Sequence, residues 1–111
     1  MDSLPPRTAG WGGEVARARN MTTPSATRRL ILAHKGGIHA RPALAIVKTV
    51  QQFHAKVRLR SGDQEGDAGE ILQLLSMGVP EGAEVTLSAE GPDAEKVLDA
   101  LVRLFADDFG M

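Results

Sequence analysis

Alternation of apolar and polar residues identifies candidate strands along the chain. The clearest is residues 83–90, where every second residue is apolar, and residues 55–60 repeat the same period of two. Side chains of a β-strand point alternately to its two faces, so this pattern predicts strands with one buried face. A short apolar run at residues 29–33 predicts an earlier strand, and residues 64–68 form a weaker candidate.

Three other stretches have the spacing of a helix that buries one face. They are residues 40–53, residues 70–77, which Gly78 ends, and a last helix opened by Gly91-Pro92-Asp93. Glycine is favoured just after a helix because it adopts the left-handed conformation that ends one. The apolar positions that should face the core in the first and last of these helices are Ala43, Ile46, Val47, Val50, Phe53, Ala94, Val97, Leu98, Leu101, Leu104 and Phe105.

The resulting order, β-α-β-β-α-β-α, is typical of an α+β domain in which helices pack on one face of an antiparallel sheet. Residues 1–27 lack a periodic apolar pattern and are rich in proline, glycine, serine and threonine. Such a segment cannot bury much apolar surface, so it is predicted to be a disordered leader. Residues 28–111 are predicted to form the folded domain, and Met21 is an alternative start whose use the sequence leaves open.

The composition of the 111-residue chain fits one small soluble domain, with 42% apolar and 24% charged residues. It contains no cysteine, which excludes disulfides, thiolate metal sites and cysteine nucleophiles. No apolar run approaches the roughly 20 residues of a membrane-spanning helix, and no signal-peptide pattern is present. No histidine or acidic cluster has metal-ligand spacing. We therefore expect a cytoplasmic protein that uses no metal or other cofactor.

Charge is unevenly distributed although the net charge is only −1. Residues 30–62 contain six basic residues and no acid, whereas residues 63–111 contain twelve acids and two basic residues. The basic part favours a site for an anionic group or an acidic partner, because such fields accelerate association. Nucleic acid is a poor candidate, since there is no basic run and aromatic residues make up only 4% of the chain.

The residues with the clearest chemistry are Gly37-Ile38-His39-Ala40-Arg41-Pro42-Ala43, at the start of the first predicted helix. Proline is tolerated in the first turn of a helix, where a backbone N–H has no intrahelical partner, so His39 should lie at or beside the helix N-terminus. The helix dipole and the N–H groups of Ala40 and Arg41 would attract an anion there, whereas Pro42 has no N–H to offer. A nucleophilic imidazole beside them, with the Arg41 guanidinium two residues on, is suited to carrying a phosphoryl group.

This motif, its place after the first strand and the order of elements resemble the HPr family of histidine-containing phosphocarriers of the sugar phosphotransferase system. The resemblance covers about residues 28–107 and includes Gly78-Val79-Pro80-Glu81-Gly82 and the strand after it. It implies an open-faced β-sandwich with three helices on one face of a four-stranded sheet. It also implies that Enzyme I, supplied by phosphoenolpyruvate, phosphorylates His39 on Nδ1, that Arg41 contacts the phosphoryl group, and that an EIIA component receives it.

The resemblance further implies a surface that meets Enzyme I and EIIA, formed by Leu44 on the first helix and by Ile71, Leu72 and Leu75 on the second. Exposed apolar groups ringed by charge are typical of transient docking sites. We therefore expect Ile71 and one neighbour to be partly exposed beside His39. The protein itself is expected to be a monomer.

Two positions depart from the family pattern. Ala40 stands where many members have threonine, so a hydroxyl is lost while the backbone N–H remains. Glu70 stands where some bacterial members have a regulatory serine that a kinase phosphorylates, so serine-based control is not expected at this position. Its carboxylate either mimics a phosphoserine or only matches the dipole at the start of the second helix.

Two other functions remain open from the residues alone. A regulatory relative would bind partners according to its phosphorylation state without serving sugar transport, and phosphotransfer to a sugar-specific EIIA would separate it from a carrier. A ferredoxin-like domain that binds a small ligand or metal would not be labelled by phosphoenolpyruvate. His34 and His54 show no chemical partner in the sequence and are predicted to be structural or solvated.

Overall fold

The structure of the protein is a computed structural model that describes residues 24–110. Its elements follow the predicted order and end in a short 3₁₀ turn. The strands are β1 (Ser25–Ile31), β2 (Lys56–Ser61), β3 (Gln64–Asp67) and β4 (Glu84–Glu90). The helices are α1 (Ala40–Val50), α2 (Ile71–Met77) and α3 (Ala94–Ala106), and the turn is Asp108–Gly110.

The four strands form one antiparallel sheet in the order β1-β4-β2-β3, so β4 lies between β1 and β2. The register places Leu30 opposite Val85 and Leu59 opposite Leu87, which puts apolar side chains of neighbouring strands on the same face. The three helices cover this face, and every second residue of β1 is exposed on the other. The predicted α+β class, with three helices on one face of a four-stranded antiparallel sheet, is confirmed.

The core lies where the helices meet the sheet. α1 contributes the stripe that its spacing predicted, with Ala43, Ile46, Val47 and Val50 all buried. The sheet and α3 contribute Val57, Leu59, Val85, Leu87, Ala94, Val97, Leu98 and Leu101. Burial of each large aliphatic side chain stabilises the fold by about 1.5–3 kcal/mol relative to exposure. This shared core holds α1, and with it the segment before the helix, against the sheet.

The end of α1 differs from the sequence prediction. The helix stops at Val50 rather than at residue 53, because Gln52 and Phe53 donate their N–H groups to the carbonyls of Thr49 and Val50, three residues back. Bonds of this kind tighten the last turn and end an α-helix. Phe53 still packs against the core from this turn, but only half buried.

β1 also differs, since it begins at Ser25 whereas the apolar run predicted a strand at residues 29–33. Its seven residues all pair with β4, from Ser25 opposite Glu90 to Ile31 opposite Glu84. Pairing with a central strand, rather than apolar pattern, therefore sets its length. The predicted domain boundary after residue 27 falls inside this strand. The rest of the predicted disordered leader, residues 1–23, lies outside the described residues.

The loop of residues 32–39, which leads into α1, is fixed against the loop that follows α2. The N–H of Ile38 donates to the Val79 carbonyl at 2.9 Å. Gly37 adopts φ +77°, and a Cβ at this position would clash with the Val79 carbonyl oxygen and lie 2.9 Å from the Cα of Pro80. Only glycine fits this contact, which orients the end of the loop that carries the histidine motif.

Gly37→Ala is expected to destabilise the protein by at least about 2 kcal/mol, because a left-handed penalty of roughly 1–2 kcal/mol adds to the backbone clash. Gly62→Ala is the matched control, since Gly62 has φ +61° but nothing within 4 Å of a Cβ position. Urea unfolding measures both variants. Equal free energies of unfolding for the two would contradict the close packing at Gly37.

Candidate functional site

His39 occupies the N-cap position of α1. Its backbone is extended, with φ −116° and ψ −161°, and its carbonyl accepts the N–H of Ala43 at 2.9 Å. The predicted position of His39 at the helix N-terminus is therefore confirmed. Its side chain is exposed and makes no capping hydrogen bond, unlike the serine, threonine or aspartate that usually caps a helix. The imidazole is left available for chemistry.

The first turn of α1 offers backbone donors and no competing acid. The N–H groups of Ala40 and Arg41 precede the first intrahelical bond and have no partner within the helix, and Pro42 has no N–H. No acidic residue lies in this turn. The Arg41 side chain is exposed, and none of the ion pairs among residues 24–110 involves it. The helix end is thus arranged to attract an anion beside His39.

Elsewhere, basic side chains of the sheet form ion pairs with acidic residues from the second half of the sequence. Arg58 binds Glu65 across the β2–β3 hairpin at 2.9 Å, and Arg28 of β1 binds Glu95 of α3 at 2.7 Å. The hydrogen bond that Arg28 donates to the Glu95 carboxylate raises the pKa of Arg28. These surface pairs contribute little stability each. Arg58 belongs to the basic segment of residues 30–62, so its ion pair neutralises one of the six basic residues there, whereas Arg28 precedes that segment.

A second histidine, His34, which was predicted to be structural or solvated, contacts the first. His34 is buried, and its Nε2 lies 3.3 Å from the Nε2 of His39. Its Nδ1 lies 2.5 Å from Oδ1 of Asp108, in the turn after α3. The spacing of five residues across two glycines was the only signal for the first contact. Nothing in the sequence indicated the second, because its partners are 74 residues apart.

The loop backbone also lies against the His39 ring. Gly36 adopts φ +87°, and a Cβ at this position would lie 3.6 Å from Cδ2 and 3.8 Å from Nε2 of His39. The Nε2 edge of the imidazole therefore faces Gly36 and His34. Among the described residues, Nδ1 of His39 has no hydrogen-bond partner.

Exposed apolar side chains lie on α1 and on α2, which pack against each other. Leu44 of α1 is 43% exposed, and on α2 Leu72 is 74% and Leu75 38% exposed, while Ile71 is half buried. The α2 residues that anchor the helix in the core are Leu74 and Met77. All four residues predicted to dock partners therefore retain some exposure, whereas their docking role stays a prediction.

Glu70 is the N-cap residue of α2. Its carbonyl accepts the N–H groups of Gln73 at 3.1 Å and Leu74 at 3.2 Å, but its carboxylate makes no capping hydrogen bond. The side chain is exposed at a helix start, where a negative charge is favourable without a specific contact. Gly78 ends the helix with φ +59°, as the sequence predicted.

The described part of the chain contains neither a candidate membrane span nor a candidate metal site. No helix between residues 24 and 110 is long and apolar enough to cross a bilayer. Within the same residues, no group of three or more histidine and acidic side chains converges as metal ligands would.

Fold and site together define an open-faced α+β domain that presents a histidine at an anion-attracting helix N-terminus. A sequence model of the PTS HPr component phosphorylation site matches residues 26–107, which is most of the chain. The chain belongs to the PTS HPr family.

Relatives of known sequence agree with this membership. The phosphocarrier protein HPr of Mycoplasma capricolum subsp. capricolum is 29% identical over 77 residues, which are 69% of this chain and 86% of that protein. The multiphosphoryl transfer protein of Xanthomonas campestris pv. campestris is 40% identical over 70 residues. That match covers 63% of this chain but only 8% of the much longer relative.

Solved structures agree as well. HPr-C-His from Thermoanaerobacter tengcongensis has a TM-score of 0.74 and 35% identity, covering 78% of this chain and 97% of that one. The HPr phosphocarrier protein of Bacillus anthracis str. Ames has a TM-score of 0.66 and 31% identity, covering 69% and 92%. The predicted HPr-like, open-faced architecture is therefore confirmed.

Proposed function

We propose that His39 carries a phosphoryl group on Nδ1, received from Enzyme I with phosphoenolpyruvate as the source and passed to an EIIA component in the cytoplasm. Membership of the HPr family makes the chain a phosphocarrier of the phosphotransferase system rather than a catalyst. The observation that carries the assignment to His39 is its exposed imidazole at an uncapped helix N-terminus.

Transfer exchanges one bond to phosphorus for another. The lone pair of the His39 Nδ1 attacks phosphorus, the bond between phosphorus and the donor breaks, and its electron pair returns to the donor. The N–H groups of Ala40 and Arg41, the Arg41 guanidinium and the helix dipole stabilise the anionic group that arrives. The dipole contributes roughly 0.3–2 kcal/mol, which is modest enough for the group to leave again when EIIA binds.

The docking surface in this proposal is formed by Leu44, Ile71, Leu72 and Leu75. Their exposure on two packed helices supports the role, because large apolar side chains on a surface are typical of interaction sites. The protein would meet Enzyme I and EIIA in turn through the same surface, and as a monomer. An interface that is used alternately must be transient, which suits a small apolar patch with a polar rim.

His39→Ala is expected to abolish labelling when the protein is incubated with Enzyme I and radiolabelled phosphoenolpyruvate, because the acceptor nitrogen is lost. The wild type should gain an acid-labile phosphate and pass it to a sugar-specific EIIA. His54→Ala, at an exposed histidine beyond the other end of α1, should label normally. Labelling that persists in His39→Ala would rule out the proposed carrier residue. Labelling without transfer to EIIA would favour the regulatory alternative.

Ala40→Pro is expected to slow phosphorylation about 10- to 100-fold, since it removes one N–H bond to a charged group, roughly 1.5–3 kcal/mol. Proline is well accommodated at the first helical position, and the extended backbone of His39 suits a residue before proline. Ala40→Ser, which keeps the N–H, is the control. An unchanged rate in a normally folded Ala40→Pro variant would show that this N–H does not bind the phosphoryl group.

Leu72→Asp is expected to raise the KM for phosphorylation by Enzyme I at least tenfold without unfolding the protein, because the residue is 74% exposed. Ile31→Asp provides the matched control, since Ile31 is 61% exposed but lies at the end of β1, away from the helical layer. Steady-state phosphorylation rates and thermal unfolding measure both variants. Equal KM values for Leu72→Asp and the wild type would remove Leu72 from the docking surface.

A further inference from the structure

Three side chains in contact, Asp108, His34 and His39, connect the turn after α3 to the start of α1. Oδ1 of Asp108 lies 2.5 Å from Nδ1 of His34, and Nε2 of His34 lies 3.3 Å from Nε2 of His39. His34 is the only polar or charged side chain that is buried among the described residues. Both ring nitrogens of this buried imidazole therefore have hydrogen-bond partners within the protein, whereas a solvated loop histidine would bond to water.

We propose that His34 and Asp108 are positioning residues, which hold the His39 imidazole in the tautomer that carries its proton on Nε2 and leaves Nδ1 free to accept a phosphoryl group. The inference rests on the proposed function of His39 and deepens it. Neither residue touches the phosphoryl group in this proposal, and both act through the opposite edge of the His39 ring.

With Asp108 ionised and both histidines neutral, the hydrogen-bonding rules fix the direction of each bond. A carboxylate only accepts, so Nδ1 of His34 carries the proton that Asp108 accepts. A neutral His34 then has a lone pair on Nε2, and the proton between the two rings belongs to Nε2 of His39. The lone pair of His39 is therefore on Nδ1. In the other neutral tautomer of His34, with its proton on Nε2, the second bond would reverse and the His39 proton would lie on Nδ1. The Asp108 carboxylate disfavours that tautomer, because it accepts a proton and would then face a lone pair on Nδ1 of His34.

The same contact also controls which nitrogen can react. Two nitrogens 3.3 Å apart leave no room for a phosphoryl group between them, so Nε2 of His39 is closed to attack on phosphorus. Gly36 lies against the same edge of the ring. Nδ1 is the only ring nitrogen of His39 without a contact among the described residues.

The chain of Asp108, His34 and His39, called the relay below, also balances the charge of the phosphorylated state. When Nδ1 bonds to phosphorus, the His39 ring becomes a cation and keeps its Nε2 proton, which stays hydrogen-bonded to His34. The negative charge of Asp108 stabilises this cation through the polarised His34 ring. When the phosphoryl group leaves, the electron pair of the N–P bond returns to Nδ1. No proton has to enter or leave His39 in either direction.

The backbone that presents Asp108 is strained in a way that the surrounding packing enforces. Asp108 and Phe109 adopt φ +53° and +61°, although left-handed backbone costs a non-glycine residue about 1–2 kcal/mol. The Phe109 ring is buried, packs on Phe105 at 4.8 Å between centroids, and meets the His34 ring edge-on at 5.4 Å. Such a conformation persists where packing over-determines it, and it is typical of functional positions.

The first test detects the hydrogen bond itself. With ¹⁵N-labelled histidine, the two Nε2 atoms should show a scalar coupling across the hydrogen bond, and His39 Nδ1 should have the shift of an unprotonated nitrogen. His34→Leu fills the same buried space without a polar atom and should abolish the coupling. A wild-type spectrum with no coupling, or with the proton on His39 Nδ1, would overturn the proposal.

The second test measures the phosphoryl transfer. His34→Leu should lower both the rate of His39 phosphorylation by Enzyme I and the phosphorylated fraction at equilibrium by about tenfold, as loss of a hydrogen bond to a charged group predicts. Asp108→Asn, which tolerates the left-handed backbone but lacks the charge, should have a smaller effect in the same direction. His34→Gln, whose carbonyl can accept from His39 and whose amide can donate to Asp108, should restore most of the rate.

These outcomes distinguish failure of the relay from failure of the proposed phosphocarrier function of His39. If the wild type is not phosphorylated at His39, the proposed function fails. If the wild type is phosphorylated and His34→Leu reaches the same rate and equilibrium, only the relay fails, even where thermal unfolding shows that His34 helps to hold the last turn. His54→Leu serves as a control for the loss of a histidine elsewhere and should match the wild type in every measurement.

Discussion

The contact between the loop of residues 32–39 and the loop after α2 is the constraint on which the site depends. Backbone hydrogen bonds from Ile38 to Val79 and from Gly82 to Leu32 join the two loops, and the packing at Gly37 leaves no space for a side chain. Leu32 is itself fully buried. The position of the histidine motif is therefore set by the sheet and its loops as well as by α1.

That rigid backbone allows the helix end to stay uncapped. A serine, threonine or aspartate at the N-cap would stabilise α1 by about 1 kcal/mol and would occupy one of the free N–H groups. His39 gives up this contribution, and the buried stripe of α1, from Ala43 to Val50, more than compensates for it. The helix is thus held by its apolar face, and its N-terminus remains open to an anion. The apolar face of α1 thus supplies stability, while its N-terminus is left free for the proposed phosphoryl transfer.

Local sequence patterns predicted the parts of the structure that local physics decides. Pro42 predicted the start of α1, and Gly78 predicted the end of α2. The length of β1 was not predictable in this way, because four of its seven residues are polar and only pairing with β4 makes them a strand. The contact of Asp108 with His34 could not be predicted from local patterns either, because the two residues are 74 positions apart and only the complete fold brings them together.

The two edges of the His39 imidazole have different environments, and a reversible carrier needs both. On the Nε2 edge the ring meets a buried histidine, which excludes water and fixes the ring. On the other edge the side chain is exposed at the helix end, where water solvates the free N–H groups until an anion replaces it. In the proposed transfer those donors would exchange water for phosphate, so the net stabilisation of the phosphoryl group would be small. A carrier that bound the group in a fully dry pocket would hold it too tightly to pass it on.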